Sequence, residues 1–402
     1  MSFQQGLSGL NAAAKGLDAV SNNVSNAATI GFKGASAQFA DVFAASISGG
    51  GSAQAGIGVN LTAIKQTFTQ GNISVTNNPL DVAINGQGFF RLSSNGTITF
   101  SRNGQFLVDK EGYITNSASQ RLTGYLANAS GVIVPSSPVD LVVSSADLTP
   151  TATASGNIGL NLDSRSVVPA AFNYTDPTTY NSSTAMTLYD SLGNSHIQSL
   201  YFRKTAANTW AMYSILDANA ASQTGPTALA FDNTGALTTG MPLGALGYAL
   251  TNGAANLSVA LDFSGSTQFG STFGVNRLTQ DGYTSGRLSG LSISPDGVVQ
   301  GRYSNGQSRD LGQVVLTNFA NPNGLQSLGG NQWGETASSG QPLVGAPNSG
   351  SLGTLQSAAV EESNIDLTAE LVNMITSQRN YQANAQSIKT QDQILQTLVN
   401  LR

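Results

Sequence analysis

The two ends of the chain carry a pattern that the middle lacks. Phe3, Leu7, Leu10, Ala14, Leu17, Ser21, Val24 and Ala28 alternate by four and three, as do Leu367, Leu371, Met374, Gln378, Tyr381, Ala385, Ile388, Asp392, Leu395 and Val399. That spacing lays one stripe along an α-helix and suits a coiled-coil seam. The residues between read as β-rich, with Gly, Asn, Ser and Thr throughout. The predicted fold class is therefore mainly β with terminal α-helices: nested β domains plus an N-/C-terminal helical coiled-coil assembly domain.

Energetics favour a role in assembly for these ends. Phe3, Leu7, Leu10, Leu17 and Val24 offer about 1.5–3 kcal/mol each when fully buried, while ordering the backbone costs about 1–2 kcal/mol per residue. Gly6, Gly9 and Gly16 weaken the first helix further. Such a segment is firm only when packed among neighbours.

Composition narrows the partners. Of 402 residues only 10% are charged, so the surface is dominated by neutral polar groups that can pack against copies of themselves without like-charge repulsion. The net charge is −5 and the 17 Lys and Arg are scattered, which argues against nucleic acid. With no Cys, disulfides, thiolate metal sites and cysteine nucleophiles are excluded. No apolar run approaches the ~20 residues of a membrane span, so membrane insertion is not expected. The first basic residue is Lys15, and Gln4, Gln5, Ser8 and Asn11 interrupt what would be a signal peptide's apolar region. Export, if it occurs, is expected to use another route.

The chain divides by composition into a terminal helical assembly domain (1–28 and 364–402), a connecting linker region (29–70), a discontinuous first β domain (71–150 and 285–363) and an inserted outer β domain (151–284). Gly49, Gly50, Gly51, Gly56 and Gly58 mark a flexible hinge within the linker. Asn85-Gly86, Asn95-Gly96 and Asn103-Gly104 are tight-turn signals, and Gly86-Gln-Gly88 is expected in a hairpin rather than a nucleotide loop. Met186–Phe202 reads as two strands around Gly193-Asn194.

Catalytic signatures are nearly absent. His196 is the single histidine, which removes His-based metal clusters, and its alternating strand makes it a surface or half-buried polar residue rather than a base. There is no nucleophile elbow or P-loop. Glu361-Glu362 is the single adjacent acidic pair, and Asp81, Asp109, Glu111 and Asp296 are the carboxylates to inspect for paired acid–base work. No catalytic residue, metal or cofactor is expected.

Ser21-Asn-Asn-Val-Ser-Asn-Ala-Ala-Thr-Ile-Gly-Phe-Lys33 resembles the N-terminal signature of the bacterial flagellar rod and hook family, with Asn22, Asn23, Asn26, Thr29, Gly31, Phe32 and Lys33 at the family's spacing. Asn364-Ile-Asp-Leu, Glu370-Leu-Val-Asn-Met-Ile, Arg379-Asn-Tyr-Gln-Ala-Asn384 and Asp392-Gln-Ile-Leu395 resemble its C-terminal helix. Asp81–Phe90 and Ser101-Arg-Asn-Gly-Gln-Phe106 resemble its shared β domain. The inserted block, with Leu188–His196 and Ser199–Phe202, is similar to the hook branch of the family.

The resemblance implies a subunit of a short, curved, hollow helical tube that joins rod to filament and transmits torque while bending. It implies self-assembly through Phe3, Leu7, Leu10, Leu17, Val24, Leu367, Leu371, Met374, Tyr381, Ile388, Leu395 and Val399. Further partners implied are a hook cap, distal rod proteins, hook–filament junction proteins and a type III export apparatus, with an extracellular place in the flagellum and no cleaved signal peptide. A distal rod subunit, which should lack the large insert, and a secreted β-rich adhesin or hydrolase are the alternative readings.

Overall fold

The computed structural model describes residues 2–42, 56–128 and 130–400. Two long helices frame the chain, α1 (Ser2–Ser25) and α2 (Leu367–Asn400). The chain divides into two compact units: one comprises 1–144, 290–302 and 308–402, and the other 145–289 with 303–307.

Both helices differ at their ends from the expected bounds. The α1 helix stops at Ser25, before Ala28, where Asn26 and Thr29 fold the chain into turns: Asn26 Nδ2 donates to the Asn22 carbonyl (2.9 Å) and Thr29 Oγ1 to Asn26 Oδ1 (3.2 Å). The α2 helix starts at Leu367 rather than 364. Asp366 Oδ1 accepts from the Thr368 and Ala369 amides (2.9 and 3.2 Å), an N-cap that fixes the first turn.

The region read as linker also differs. Strands β1 (Ala35–Val42) and β2 (Gly58–Gln66) form an antiparallel ribbon with a bulge at Gln38/Phe39. An isolated two-stranded ribbon is marginal in water, and this one packs on α1: a Cβ on Gly16 would touch Phe39, and Ser8 Oγ accepts from the Val59 amide (3.3 Å). Gly58 therefore opens a strand, and Gly56 receives the Gln5 side-chain amide (2.6 Å). Gly49, Gly50 and Gly51 lie outside the described residues.

In the first unit, β3 (Ile73–Val75) pairs with Ala359–Glu361 and β4 (Val82–Asn85) with Thr354–Ser357, so the returning chain closes the domain where it began. The main sheet is built on β5 (Phe89–Ser94), flanked by β6 (Thr97–Ser101) and by strand Arg121–Leu126. Asn95 (φ 50) and Gly96 (φ 87) make the β5–β6 turn, as two-residue hairpins require. Gly86-Gln-Gly88 is not in a hairpin: β4 and β5 pair with different partners, and the segment crosses between two sheets. Phe89, Phe100, Phe319 and Trp333 form an aromatic core, and Trp333 Nε1 donates to Gln66 Oε1 at the end of the ribbon (2.7 Å).

The second unit holds two four-stranded sheets. Ser182–Tyr189, Ser195–Ala206, Thr209–Leu216 and Thr224–Ala230 form an antiparallel meander, and Gly193 (φ 86) supplies its first turn. Leu246–Tyr248, Leu257–Asp262, Ser155–Asn161 and Gly274–Gln280 form the other sheet, with Ser155–Asn161 parallel to Leu257–Asp262. Both contribute to one core containing Leu160, Phe202, Trp210, Val259 and Phe263.

Candidate functional site

The termini come together as an antiparallel pair. A Cβ on Gly6 would lie 3.0 Å from Ile388 Cγ1 and one on Gly9 2.8 Å from Asn384 Oδ1, while Asn23 Nδ2 reaches Glu370 Oε1 at 3.4 Å. The glycines that lower helix propensity are the ones that allow this approach, since any side chain would hold the backbones apart.

Of the predicted stripe, Leu10, Leu17, Val24, Met374 and Ile388 are half-buried. Phe3, Leu7, Leu367, Leu371, Tyr381, Leu395 and Val399 are exposed, up to 74% at Val399. From Met374 and Ile388 the packed face turns toward Glu370, Ser377, Asn384 and Gln391, rather than toward Leu371, Gln378, Asp392 and Val399. Two interleaved four-and-three stripes share one helix. The seam with α1 uses the more polar one and leaves large apolar side chains uncovered, with Val372, Ile375 and Ile394 beside them.

The segment after α1 ties this pair to the β domain. Asn23 clamps Ala35 with both ends of its amide, donating to the carbonyl (2.8 Å) and accepting from the N–H (2.9 Å). Asn364 does the same work from the other terminus: Oδ1 accepts from the Gly34 amide (2.9 Å) and Nδ2 donates to the Thr67 carbonyl (2.7 Å). Asn331 donates to the Ile30 carbonyl (2.8 Å). Gly31 sits at φ 70 and its amide donates to the Glu361 carbonyl (2.8 Å); a Cβ there would come within 2.6 Å of the Asn103 nitrogen. Phe32 is half-buried.

Beneath these clamps lies a buried cluster of charge. Glu361 Oε1 accepts from Lys33 Nζ (2.6 Å) and from the Gly71 amide (2.9 Å), and Oε2 faces Arg102 Nε at 2.9 Å. The side chains of Lys33 and Glu361 have no solvent exposure and that of Arg102 has 4%. Lys33 also donates to the Thr69 carbonyl (2.7 Å), and Arg102 to the carbonyls of Gly86 (3.0 Å) and Gly88 (2.6 Å). Loss of solvation pushes the pKa of both cations down, and Glu361 opposes the shift. Two cations share one carboxylate, so the remaining positive charge is spread over backbone carbonyls.

Sequence reading placed Lys33 in the motif but missed Arg102 and Glu361 as its partners. Arg102 lies in the Ser101–Phe106 motif and Glu361 in the single acidic pair; nothing in either pattern signals a contact across 259 residues. The other inspected carboxylates serve turns and surface pairs. Asp109 Oδ1 accepts from the Glu111 and Tyr113 amides, Asp81 from Asn78 and Asp296 from Asn348, while Glu111 pairs with Arg121 at 3.4 Å. His196 lies between Asp217 (2.6 Å) and Asp190 (3.3 Å), on a strand of the second unit. Among the described residues no cluster of three or more His, Cys, Asp or Glu has metal-binding geometry.

Four family descriptions match successive parts of the chain: flagella basal body rod protein over 3–33, flagellar hook protein FlgE/F/G D1 domain over 83–147, flagellar basal body protein FlaE D2 domain over 161–283, and flagellar basal body rod FlgEFG protein C-terminal over 356–401. The chain is 44% identical over 413 residues to the flagellar hook protein FlgE of Salmonella typhimurium and 43% over 412 residues to that of Escherichia coli, covering all of both proteins. It is 32% identical to the FlgE of Borreliella burgdorferi, over all of this chain and 99% of that protein. Among solved structures, the Helicobacter pylori flagellar hook protein FlgE2 shares the fold at a TM-score of 0.51 and 13% identity, over 72% of this chain and 99% of that one.

Proposed function

The chain belongs to the flagellar hook protein family, and from that membership we infer a non-enzymatic subunit that builds the hook by self-association of its terminal helices. One observation carries the mechanism: α1 and α2 pair through a small, polar seam and leave Leu371, Val372, Ile375, Leu395 and Val399 uncovered. Exposed apolar stripes on both arms are what copies of the chain would cover by packing side by side. The resulting tube would be held by helices at its wall, while the buried Lys33–Glu361–Arg102 cluster fixes each helical arm to its own β domain.

Within this reading the tube is curved and hollow and transmits torque between rod and filament. Its other partners are the hook cap, the distal rod and the hook–filament junction, and export runs through the flagellar type III apparatus. Full-length similarity to hook proteins, inserted unit included, favours the hook over the distal rod.

Immunogold microscopy of intact flagella with antibody against 151–284 tests the assignment. Gold on a short curved segment at the filament base is the expected result. Label confined to the rod after envelope removal would replace the hook reading with the distal rod.

A further inference from the structure

Where the α1–α2 seam meets the ribbon, a crevice of about 270 Å3 opens, with Asn23, Glu370, Asn373, Ser377 and Phe39 in its walls. Glu370 is poorly served there. Its Oε1 has a single long contact, 3.4 Å, with an Asn23 amide already committed to Ala35 at 2.8 Å. Its Oε2 is shut off from solvent and has no hydrogen-bond partner. A carboxylate oxygen left in this state is costly, and a cation or strong donor relieves the cost. The last torsion of a Glu side chain is broad, so an incoming donor can draw this oxygen into the crevice with little strain.

The complementary group stands on the same helix. Arg379 is exposed and makes no ion pair among the described residues. An α-helix turns about 100° per residue, so nine positions place Arg379 on the side of α2 opposite Glu370. It points away from the seam, where a neighbour would approach. Its planar fork suits a carboxylate flanked by amide and hydroxyl oxygens better than an ammonium does.

We propose that Arg379 of a second copy enters this crevice and pairs with Glu370, forming a charged contact between adjacent helical arms. Donor and acceptor lie on opposite faces of one helix, so each copy offers one to either neighbour. Such a heterologous contact does not close on a dimer and propagates as an open helical array. The proposal rests on the assembly reading above and assigns that assembly a specificity pair.

Polymerisation of the purified full-length chain, followed by light scattering and electron microscopy, tests it. Arg379→Glu and Glu370→Arg are each expected to raise the critical concentration about tenfold or more, the effect of losing one partly desolvated charge pair. Combining them, which reverses the pair, should restore most of the loss. Arg379→Glu is an exposed change and should keep the parent's helical circular dichroism. Either single variant assembling like the parent, or a double variant no better than the worse single, would overturn the pairing. Rescue of Glu370→Arg by Lys389→Glu instead would also overturn it, by giving the donor role to Lys389. Failure of the unsubstituted chain to polymerise would instead count against the assembly reading itself.

Discussion

At the scale of single residues, Glu361 is the point on which the junction turns. It compensates two buried cations, so its loss leaves both without a counter-charge, whereas loss of Lys33 leaves a one-to-one pair with Arg102. Breaking a buried ion cluster by removing one member typically costs about 3–5 kcal/mol. Glu361→Gln should approach that range, and Lys33→Met, which removes the excess positive charge and keeps similar volume, should cost clearly less. Urea unfolding of the first unit checks the order; equal costs would mean that the cluster does not act through charge balance. Gly31→Ala should cost about 2 kcal/mol or more in the same measurement. Its φ of 70 disfavours a side chain, and the Cβ would strike the Asn103 backbone, which cannot swing aside. A loss within a few tenths would show that the turn can relax. The Gly-Phe-Lys motif is plain in the sequence, but its purpose is not, because the groups that require it, Asn103, Arg102 and Glu361, lie far along the chain.

At the scale of elements, periodicity reveals that both ends are helices and leaves open which face meets which. Stripes containing Glu370 or Leu371 fit a four-and-three rule equally well; Gly6 and Gly9 decide between them by admitting Ile388 and Asn384 at close range. Strand β1 of the ribbon stayed hidden for a related reason: its residues mix Ala, Ser, Gln and Asp without a clean apolar alternation, and packing on α1 holds the ribbon together. Gly9→Leu therefore has an unusual expected outcome. It raises intrinsic helix propensity by about 1 kcal/mol, yet it should separate the arms, speed amide exchange along α2 and weaken polymerisation. Unchanged exchange would mean that the seam has room to spare. Deletion of 1–28 or of 364–402 should leave a soluble β core that forms no tubes under conditions in which the full chain polymerises; normal tubes from either deletion would remove the helices from the assembly.

At the scale of the whole molecule, two separate cores imply two separately measurable stabilities, and the chain carries a reporter for each. Its two tryptophans divide between the units: Trp333 lies in the aromatic core of the first, and Trp210, donating to Gln268 Oε1 at 2.7 Å, in the core of the second. Single-tryptophan variants should then resolve the effects of pH by unit. Partial burial of His196 disfavours its charged form, but hydrogen bonds to Asp217 and Asp190 outweigh this and raise its pKa above the ordinary 6.5. A charged ring donates from both nitrogens, and a neutral ring from only one. The contribution of His196 to stability is therefore complete below about pH 6.5 and lost as pH rises through the raised folded-state value. The midpoint followed by Trp210 should fall across that window, and His196→Gln should flatten the fall, while the Trp333 midpoint in the same samples stays level. Parallel movement of both midpoints would show that the units unfold as one, and a substitution in the second unit would then be felt at the helical arms.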